Sequence, residues 1–138
     1  VIDPYKIIDE SEDKIKLAIK PSGYFNQKYK KIIEFCKFFI KLKENQIPTR
    51  EELLELWGIG FETADSILLY AYRIPVFIVD TYTKRFLISL DLIQKDWDYN
   101  KIQELIENDL GKNIKDDQKV IIYQEFHALI VEYNKRIK

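Results

Sequence analysis

The sequence contains few of the residues that form cross-links or metal clusters. It has one cysteine, Cys36, in 138 residues. Neither a disulfide framework nor a cysteine-ligated cluster can therefore form within the chain, so no iron–sulfur cluster is expected in it. No apolar run approaches the roughly 20 residues that a membrane-spanning helix needs. Residues 1–4 do not have the organisation of a signal peptide. These absences favour a cytoplasmic protein that does not contact membranes.

Methionine is absent, even at position 1, so we expect a fragment or trimmed form of a longer protein. The net charge of −1 argues against generic nucleic-acid binding, which requires a basic surface, but it leaves room for local basic patches. Hydrophobic residues make up 46% and charged residues 33%. This balance predicts one globular domain over residues 1–138.

Glycine and proline are also scarce, at four each, and they fall where helices are expected to stop or start. The spacing of apolar residues predicts an all-α chain. Residues 76–79 form one extended stretch with no obvious partner strand. The predicted helices run from Ser11 to before Pro21, over 28–43, from a capping box at Thr49 through Trp57, over 62–72, from Asp80 through Leu90, from Asp98 to Gly111, and from Asp116 onward.

Two of these helices meet at Gly58-Ile59-Gly60. Glycine permits positive φ and a close approach of a phosphate to the backbone. The free amides at the start of the second helix favour an anion. The hairpin thus predicts DNA-phosphate binding by Gly58, Ile59, Gly60, Glu62 and Thr63. An ordinary helical hairpin with a glycine C-cap explains the turn equally well when the turn is taken by itself.

The segment after the hairpin favours the DNA-binding interpretation. Pro75, the apolar run 76–79 and Asp80-Thr81 follow in order. This order resembles the helix-hairpin-helix–Gly/Pro–Asp (HhH-GPD) superfamily of DNA glycosylases, in particular endonuclease III-like members. The resemblance covers nearly the whole chain. It implies a partial six-helix barrel whose first helices precede Val1, and a catalytic role for Asp80. The alternative is that Asp80 only caps its helix.

That role for Asp80 is chemically reasonable. Breaking the bond between a damaged base and deoxyribose leaves an oxocarbenium-like sugar, which a nearby carboxylate stabilises or supplies with an oriented water. A carboxylate at a helix N-cap accepts backbone N–H bonds, and these favour the ionised form.

Two departures from the family narrow the expected activity. Bifunctional members carry a lysine where this chain has Glu62, and a carboxylate cannot act as an amine nucleophile. We therefore expect a monofunctional, hydrolytic enzyme, with Lys84 as a weaker candidate for a lyase residue. The chain also stops at Lys138, about where the first cysteine of the family's iron–sulfur cluster would fall, so either the protein lacks the cluster or the chain ends before it. The chain lacks both the lysine and the cluster cysteines, and its loop 20–28 is similar to that of the endonuclease III-like 3-methyladenine glycosylases. This resemblance suggests alkylated purines as substrates.

The resemblance assigns further residues. It implies a wedge loop that enters the duplex when the base is flipped out, a base pocket or DNA contact, and a monovalent cation (Na⁺ or K⁺) held by backbone carbonyls; no cofactor is expected to be required. His127, the one histidine, is expected to be a buried, hydrogen-bonded structural residue. The wedge loop consists of Tyr24, Asn26 and Lys28. The base pocket or DNA contact consists of Trp57, Tyr82, Lys84 and Arg85. The carbonyls that would hold the cation belong to Leu54, Leu56 and Ile59.

The sequence thus predicts a monomeric base-excision DNA glycosylase acting on damaged double-stranded DNA. Three alternatives remain: a non-catalytic helix-hairpin-helix DNA-binding module, a bifunctional endonuclease III-type glycosylase and lyase, and an all-helical protein–protein module.

Overall fold

The computed structural model of the protein describes residues 2–137; Val1 and Lys138, the ends of the predicted domain, lie outside the described residues. Over the described range the chain forms eight α-helices and no strand, which confirms the all-α prediction. None of these helices has the length and apolarity to cross a membrane. The chain divides into two compact units, of which the first ends at Ile59 and the second begins at Gly60. The single-domain assignment stays a prediction.

The first unit is built around one long helix. It contains α1 (Pro4–Asp9), α2 (Glu12–Ile19), a 3₁₀ turn (Lys20–Ser22), α3 (Phe25–Lys41) and α4 (Arg50–Leu54). Helices α1 and α2 both pack against α3. Two N-caps follow the sequence prediction, because Ser11 accepts a bond from the Lys14 amide and Thr49 forms a capping box with Glu52.

Three elements of this unit differ from the prediction. Helix α1 was not predicted, although Asp3 caps it and Pro4 occupies its first turn, both common start signals. Helix α3 begins at Phe25 rather than at 28, because Tyr24 in the left-handed region (φ 47°) forms its N-cap. Helix α4 ends at Leu54 rather than continuing through Trp57. After Leu54 the backbone forms i to i−3 hydrogen bonds in place of the α-helical i to i−4 bonds. The Leu56 amide donates to the Leu53 carbonyl, and the Ile59 amide donates to the Leu56 carbonyl.

The second unit holds the hydrophobic core. Helix α5 (Phe61–Ser66) runs directly into a π-helical turn (Ile67–Ala71), followed by α6 (Thr81–Ser89), α7 (Tyr99–Gly111) and α8 (Asp116–Arg136). The core joins α6, α7 and α8 to the extended segment 76–79, in which Phe77 is fully buried. Phe77 packs edge-on against Tyr123 of α8, with ring centroids 5.6 Å apart. The extended stretch is non-helical, as the sequence predicted.

Side chains of α7 satisfy three backbone groups of the buried residues 77–79. The Phe77 amide donates to Glu107 Oε1 at 2.8 Å, and the Val79 amide donates to the Tyr99 hydroxyl at 3.2 Å. The Phe77 carbonyl accepts a bond from Gln103 Nε2 at 2.6 Å. A buried backbone group without a partner would destabilise the fold. These bonds therefore hold the segment that leads into Asp80 at a fixed position on α7.

A buried carboxylate links this arrangement to the hairpin helix. Asp65 of α5 is fully buried, and its Oδ2 accepts bonds from the Tyr99 hydroxyl and from Gln103 Nε2, both at 2.8 Å. Tyr99 also stacks on Phe61 at the start of α5, with ring centroids 5.2 Å apart. Helix α5 and the segment that precedes Asp80 are therefore anchored to the same two side chains of α7.

We expect Gly111→Ala to destabilise the protein because a Cβ at this position would lie 2.5 Å from the Tyr123 hydroxyl. Tyr123 is buried, and overpacking of this kind costs about 1–3 kcal/mol. The free energy of unfolding in urea measures the effect.

The matched background for this test is Tyr123→Phe, which removes the obstructing oxygen. In that background Gly111→Ala should be neutral, or stabilising by up to about 1 kcal/mol, since alanine is the better helix former. An equal loss in both backgrounds would contradict the steric explanation.

Candidate active site

Asp80 is fixed by hydrogen bonds to both of its carboxylate oxygens. It is the N-cap of α6, where Oδ1 accepts the Thr83 amide at 2.7 Å. Its Oδ2 lies 3.2 Å from Nε2 of His127 on α8, and only 11% of the Asp80 side chain is exposed. Asp80 therefore caps its helix, as the sequence predicted, and also contacts a second element.

The hydrogen bonds keep Asp80 ionised. Burial by itself raises the pKa of a carboxyl. Here the bonds from His127 and Thr83 outweigh that effect and hold the pKa of Asp80 below its ordinary value. At neutral pH the site thus presents a negative charge with little exposure to solvent.

His127 connects Asp80 to Tyr70. Its Nδ1 lies 3.0 Å from the Tyr70 hydroxyl, and Tyr70 sits in the π-helical turn. The sequence predicts a buried, hydrogen-bonded structural histidine at this position. The side chain is mostly buried, with 17% exposed, but its partner is the candidate catalytic aspartate. The helical spacing of α8 showed that His127 faces inward, and no local pattern in the sequence identified what it meets there.

Glu62 and Asp80 line one pocket of about 490 Å³ in the second unit. Glu62 lies in the first turn of α5. Partial burial raises the pKa of Glu62, and the negative charge of Asp80 raises it further, while His127 acts in the opposite direction. Glu62 is therefore electrostatically coupled to Asp80.

Basic and aromatic side chains from α6 and the loop before α7 complete the pocket, which includes Lys84, Arg85, Lys95 and Trp97. Three of the four charged residues predicted for the site thus share the pocket with Asp80, namely Glu62, Lys84 and Arg85. The Lys84 amine donates to the Trp97 carbonyl at 2.8 Å, so this lysine is held by the backbone. Tyr82 is not among the lining residues, and 36% of its surface is exposed.

The remaining predicted residues lie in the first unit or at the hairpin. Tyr24 is 83% exposed, and Asn26 and Lys28 follow it in the first turn of α3. Lys28 donates to the Ser22 carbonyl at 2.5 Å. Trp57 is 46% exposed, with the Lys30 amine 3.9 Å from its ring centroid.

The two hairpin glycines differ in conformation. Gly58 has a φ of +78°, as a tight turn requires. Gly60, the N-cap of α5, has a φ of −97°, which any residue can adopt. A positive φ, which the sequence permits at both glycines, therefore occurs at Gly58 and not at Gly60. Ile59 is buried, and Thr63 is exposed in the first turn of α5.

The described residues contain no group of three or more histidine, cysteine, aspartate or glutamate side chains that could hold a metal ion. The monovalent-cation hypothesis rested on the carbonyls of Leu54, Leu56 and Ile59. The Leu56 carbonyl accepts the Ile59 amide at 3.1 Å. No contact among residues 2–137 supports the cation, and it stays a prediction.

Comparison with known proteins identifies the class to which this fold and site belong. A family model described as HhH-GPD superfamily base excision DNA repair protein matches residues 1–112. The chain belongs to this superfamily, which confirms the resemblance seen in the sequence.

Individual relatives agree with this assignment. MJ1434 of Methanocaldococcus jannaschii, whose name assigns it to the DNA repair glycosylases, is 38% identical over 99% of this chain and 64% of its own length. The chain thus spans somewhat less than two thirds of that relative. The crystal structure of the 3-methyladenine DNA glycosylase MagIII of H. pylori, bound to 1,N6-ethenoadenine, matches with a TM-score of 0.82 and 34% identity, over 98% of this chain and 68% of MagIII.

A non-covalent complex of endonuclease III with DNA matches with a TM-score of 0.69 and 25% identity, over 89% of this chain and 56% of that protein. These similarities confirm the predicted endonuclease III-like glycosylase fold.

We expect Asp80→Asn to lower the pKa of Glu62. The charge of Asp80 raises that pKa, so its removal makes the ionised form of Glu62 easier to reach. A ¹³C NMR titration of the glutamate side chains, assigned with Glu62→Gln, measures the shift. An unchanged Glu62 titration in Asp80→Asn would show that the two carboxylates are not coupled.

Proposed function

We propose that the protein is a monofunctional DNA glycosylase of base-excision repair, which hydrolyses the bond between deoxyribose and a damaged base in duplex DNA. The observation that carries the proposal is Asp80. The sequence resemblance assigns the catalytic role to this residue, which is mostly buried and is kept ionised by hydrogen bonds to both oxygens. Membership of the base excision repair superfamily supports the reaction class.

The chemistry follows from the charge of Asp80. As the bond between C1′ and the base nitrogen breaks, the electron pair leaves with the base and positive charge develops on the sugar. A fixed carboxylate of low exposure stabilises that charge more strongly than water does, because it needs no reorganisation. Water then adds to C1′, its proton is released, and the product is a free base and an abasic sugar.

Glu62 supports hydrolysis without strand cleavage. Strand cleavage by this family's bifunctional members uses a lysine amine that forms a Schiff base, and this chain has a carboxylate at that position. Lys84, the other candidate, donates its amine to the Trp97 carbonyl, which opposes nucleophilic attack from that position.

The hairpin and the exposed loop are proposed to hold DNA. Gly58 takes the positive φ of the turn, and Gly60 begins α5, whose N-terminal amides favour an anion. Tyr24 is exposed at the N-cap of α3, a position suited to a side chain that enters the duplex. We propose alkylated purines as substrates, on the strength of the similarity to the H. pylori 3-methyladenine glycosylase.

The first test is single-turnover excision by the complete protein, comparing wild type with Asp80→Asn. The substrates are duplexes carrying 3-methyladenine, 1,N6-ethenoadenine, uracil or thymine glycol. We expect release of one of the alkylated purines, and Asp80→Asn should slow it at least about 100-fold. Strands should break only after treatment with alkali.

Asp80→Asn keeps the shape of the side chain, so thermal unfolding serves as its folding control. Base release at the wild-type rate by a folded Asp80→Asn variant would remove Asp80 from the mechanism. Duplex binding with no release from any substrate would instead favour the non-catalytic DNA-binding module.

Borohydride trapping tests the monofunctional assignment. Wild type should form no covalent complex with the abasic product, because the position of the family's lysine is occupied by Glu62 and the Lys84 amine is bonded to the Trp97 carbonyl. Glu62→Lys should form a covalent complex, whereas Glu62→Gln should not. Both variants lose the carboxylate and only Glu62→Lys gains an amine, so the comparison shows which change causes trapping. Trapping of wild-type protein would show that another lysine acts as the nucleophile.

A further inference from the structure

We propose that His127 and Tyr70 form a positioning pair for Asp80, in which Tyr70 fixes the imidazole ring of His127 and His127 fixes the carboxylate. This inference rests on the proposed function and deepens it. It adds two residues, from α8 and from the π-helical turn, to the single aspartate that the sequence identified.

The hydrogen bonds define where the protons lie. Asp80 is ionised and can only accept, so Nε2 of His127 carries the proton that it donates to Oδ2. The other nitrogen, Nδ1, lies 3.0 Å from the Tyr70 hydroxyl, which can both donate and accept hydrogen bonds. Burial and the charges of Asp80 and Glu125 raise the pKa of that hydroxyl, so it keeps its proton. The imidazole is therefore held at both nitrogens, by Tyr70 at one and by Asp80 at the other.

This arrangement fixes the orientation of the Asp80 carboxylate. A carboxylate held in one orientation stabilises the developing sugar cation without having to reorganise. The surroundings are anionic, because Glu62 of α5 couples to both Asp80 and His127, and Glu125 of α8 acts on Tyr70. Thr83 of α6 also contacts Asp80, through its amide.

Two features show that the pair serves this site. Both ring nitrogens of His127 are occupied, one by Asp80 and one by Tyr70. Tyr70 is 48% exposed, so its hydroxyl is not held in place by deep burial. It reaches the imidazole from a π-helical turn, a rare element in which the backbone register differs from that of the adjoining α-helix.

The test uses single-turnover base release by the complete protein, measured from about pH 3 to pH 8, so that the range includes the protonation of Asp80, whose pKa lies below its ordinary value. The variants are His127→Leu, His127→Gln, Tyr70→Phe and the double variant Asp80→Asn/His127→Leu. Leucine removes the donor, whereas the glutamine amide can still donate to Asp80 but cannot titrate. Thermal unfolding of each variant monitors the fold.

We expect His127→Leu to slow base release about 10- to 100-fold, the range of a lost hydrogen bond to a charged group. The acid limb of the pH–rate profile of this variant should move to higher pH, because Asp80 loses the hydrogen bond from His127 that lowers the pKa of Asp80. His127→Gln should restore most of the rate and the position of that limb. Tyr70→Phe should cost about 3- to 10-fold. In the Asp80→Asn background, His127→Leu should cost nothing further.

The outcomes separate this inference from the proposed function. If wild type and Asp80→Asn release base equally, or wild type releases none, the proposed function is wrong. If Asp80→Asn abolishes release while folded His127→Leu keeps the wild-type rate and pH profile, the positioning pair is wrong. A loss for His127→Leu that persists in the Asp80→Asn background would likewise overturn it, since a purely structural role predicts that result. Should His127→Leu fail to fold, His127→Gln and Tyr70→Phe decide the question by the same criteria.

Discussion

The second unit depends on one constraint, which is that side chains rather than a neighbouring strand satisfy a buried, non-helical backbone. Residues 77–79 lie in the core, and Glu107, Tyr99 and Gln103 of α7 bind the amides of Phe77 and Val79 and the Phe77 carbonyl. The same tyrosine and glutamine also bind Asp65 of α5. One helix therefore fixes both the chain that leads to Asp80 and the helix that carries Glu62.

The electrostatics of the site follow from that placement. Asp80 caps α6 and remains ionised despite its burial, because donors from α6 and α8 meet its two oxygens. Glu62 is held close enough to be affected by this charge. Two carboxylates with opposite pKa shifts thus line one pocket, an arrangement that lets neighbouring acids take different roles.

Local signals in the sequence accounted for most helix boundaries of the second unit. Asp80 and Asp98 were expected to cap α6 and α7, and both do. The start of α3 was misplaced because a non-glycine residue, Tyr24, adopts a left-handed conformation that no turn signature announces. The π-helical turn at Ile67–Ala71 has no sequence signature either. Contacts between elements could not be predicted from local patterns. Helical spacing places His127 on the inner face of α8, but it does not indicate that Asp80 is the residue that His127 contacts.

The exposed position of Glu62 in the first turn of α5 has an evolutionary consequence. Glutamate and lysine codons differ by one nucleotide, and at a largely solvent-facing helix position either residue is compatible with the backbone. If the family's lysine and this glutamate support different fates for the same sugar, a single transition in the gene separates them. The buried Asp80 and its hydrogen-bond partners would be the same in both forms. Hydrolysis and strand cleavage would then differ by one substitution in the same fold.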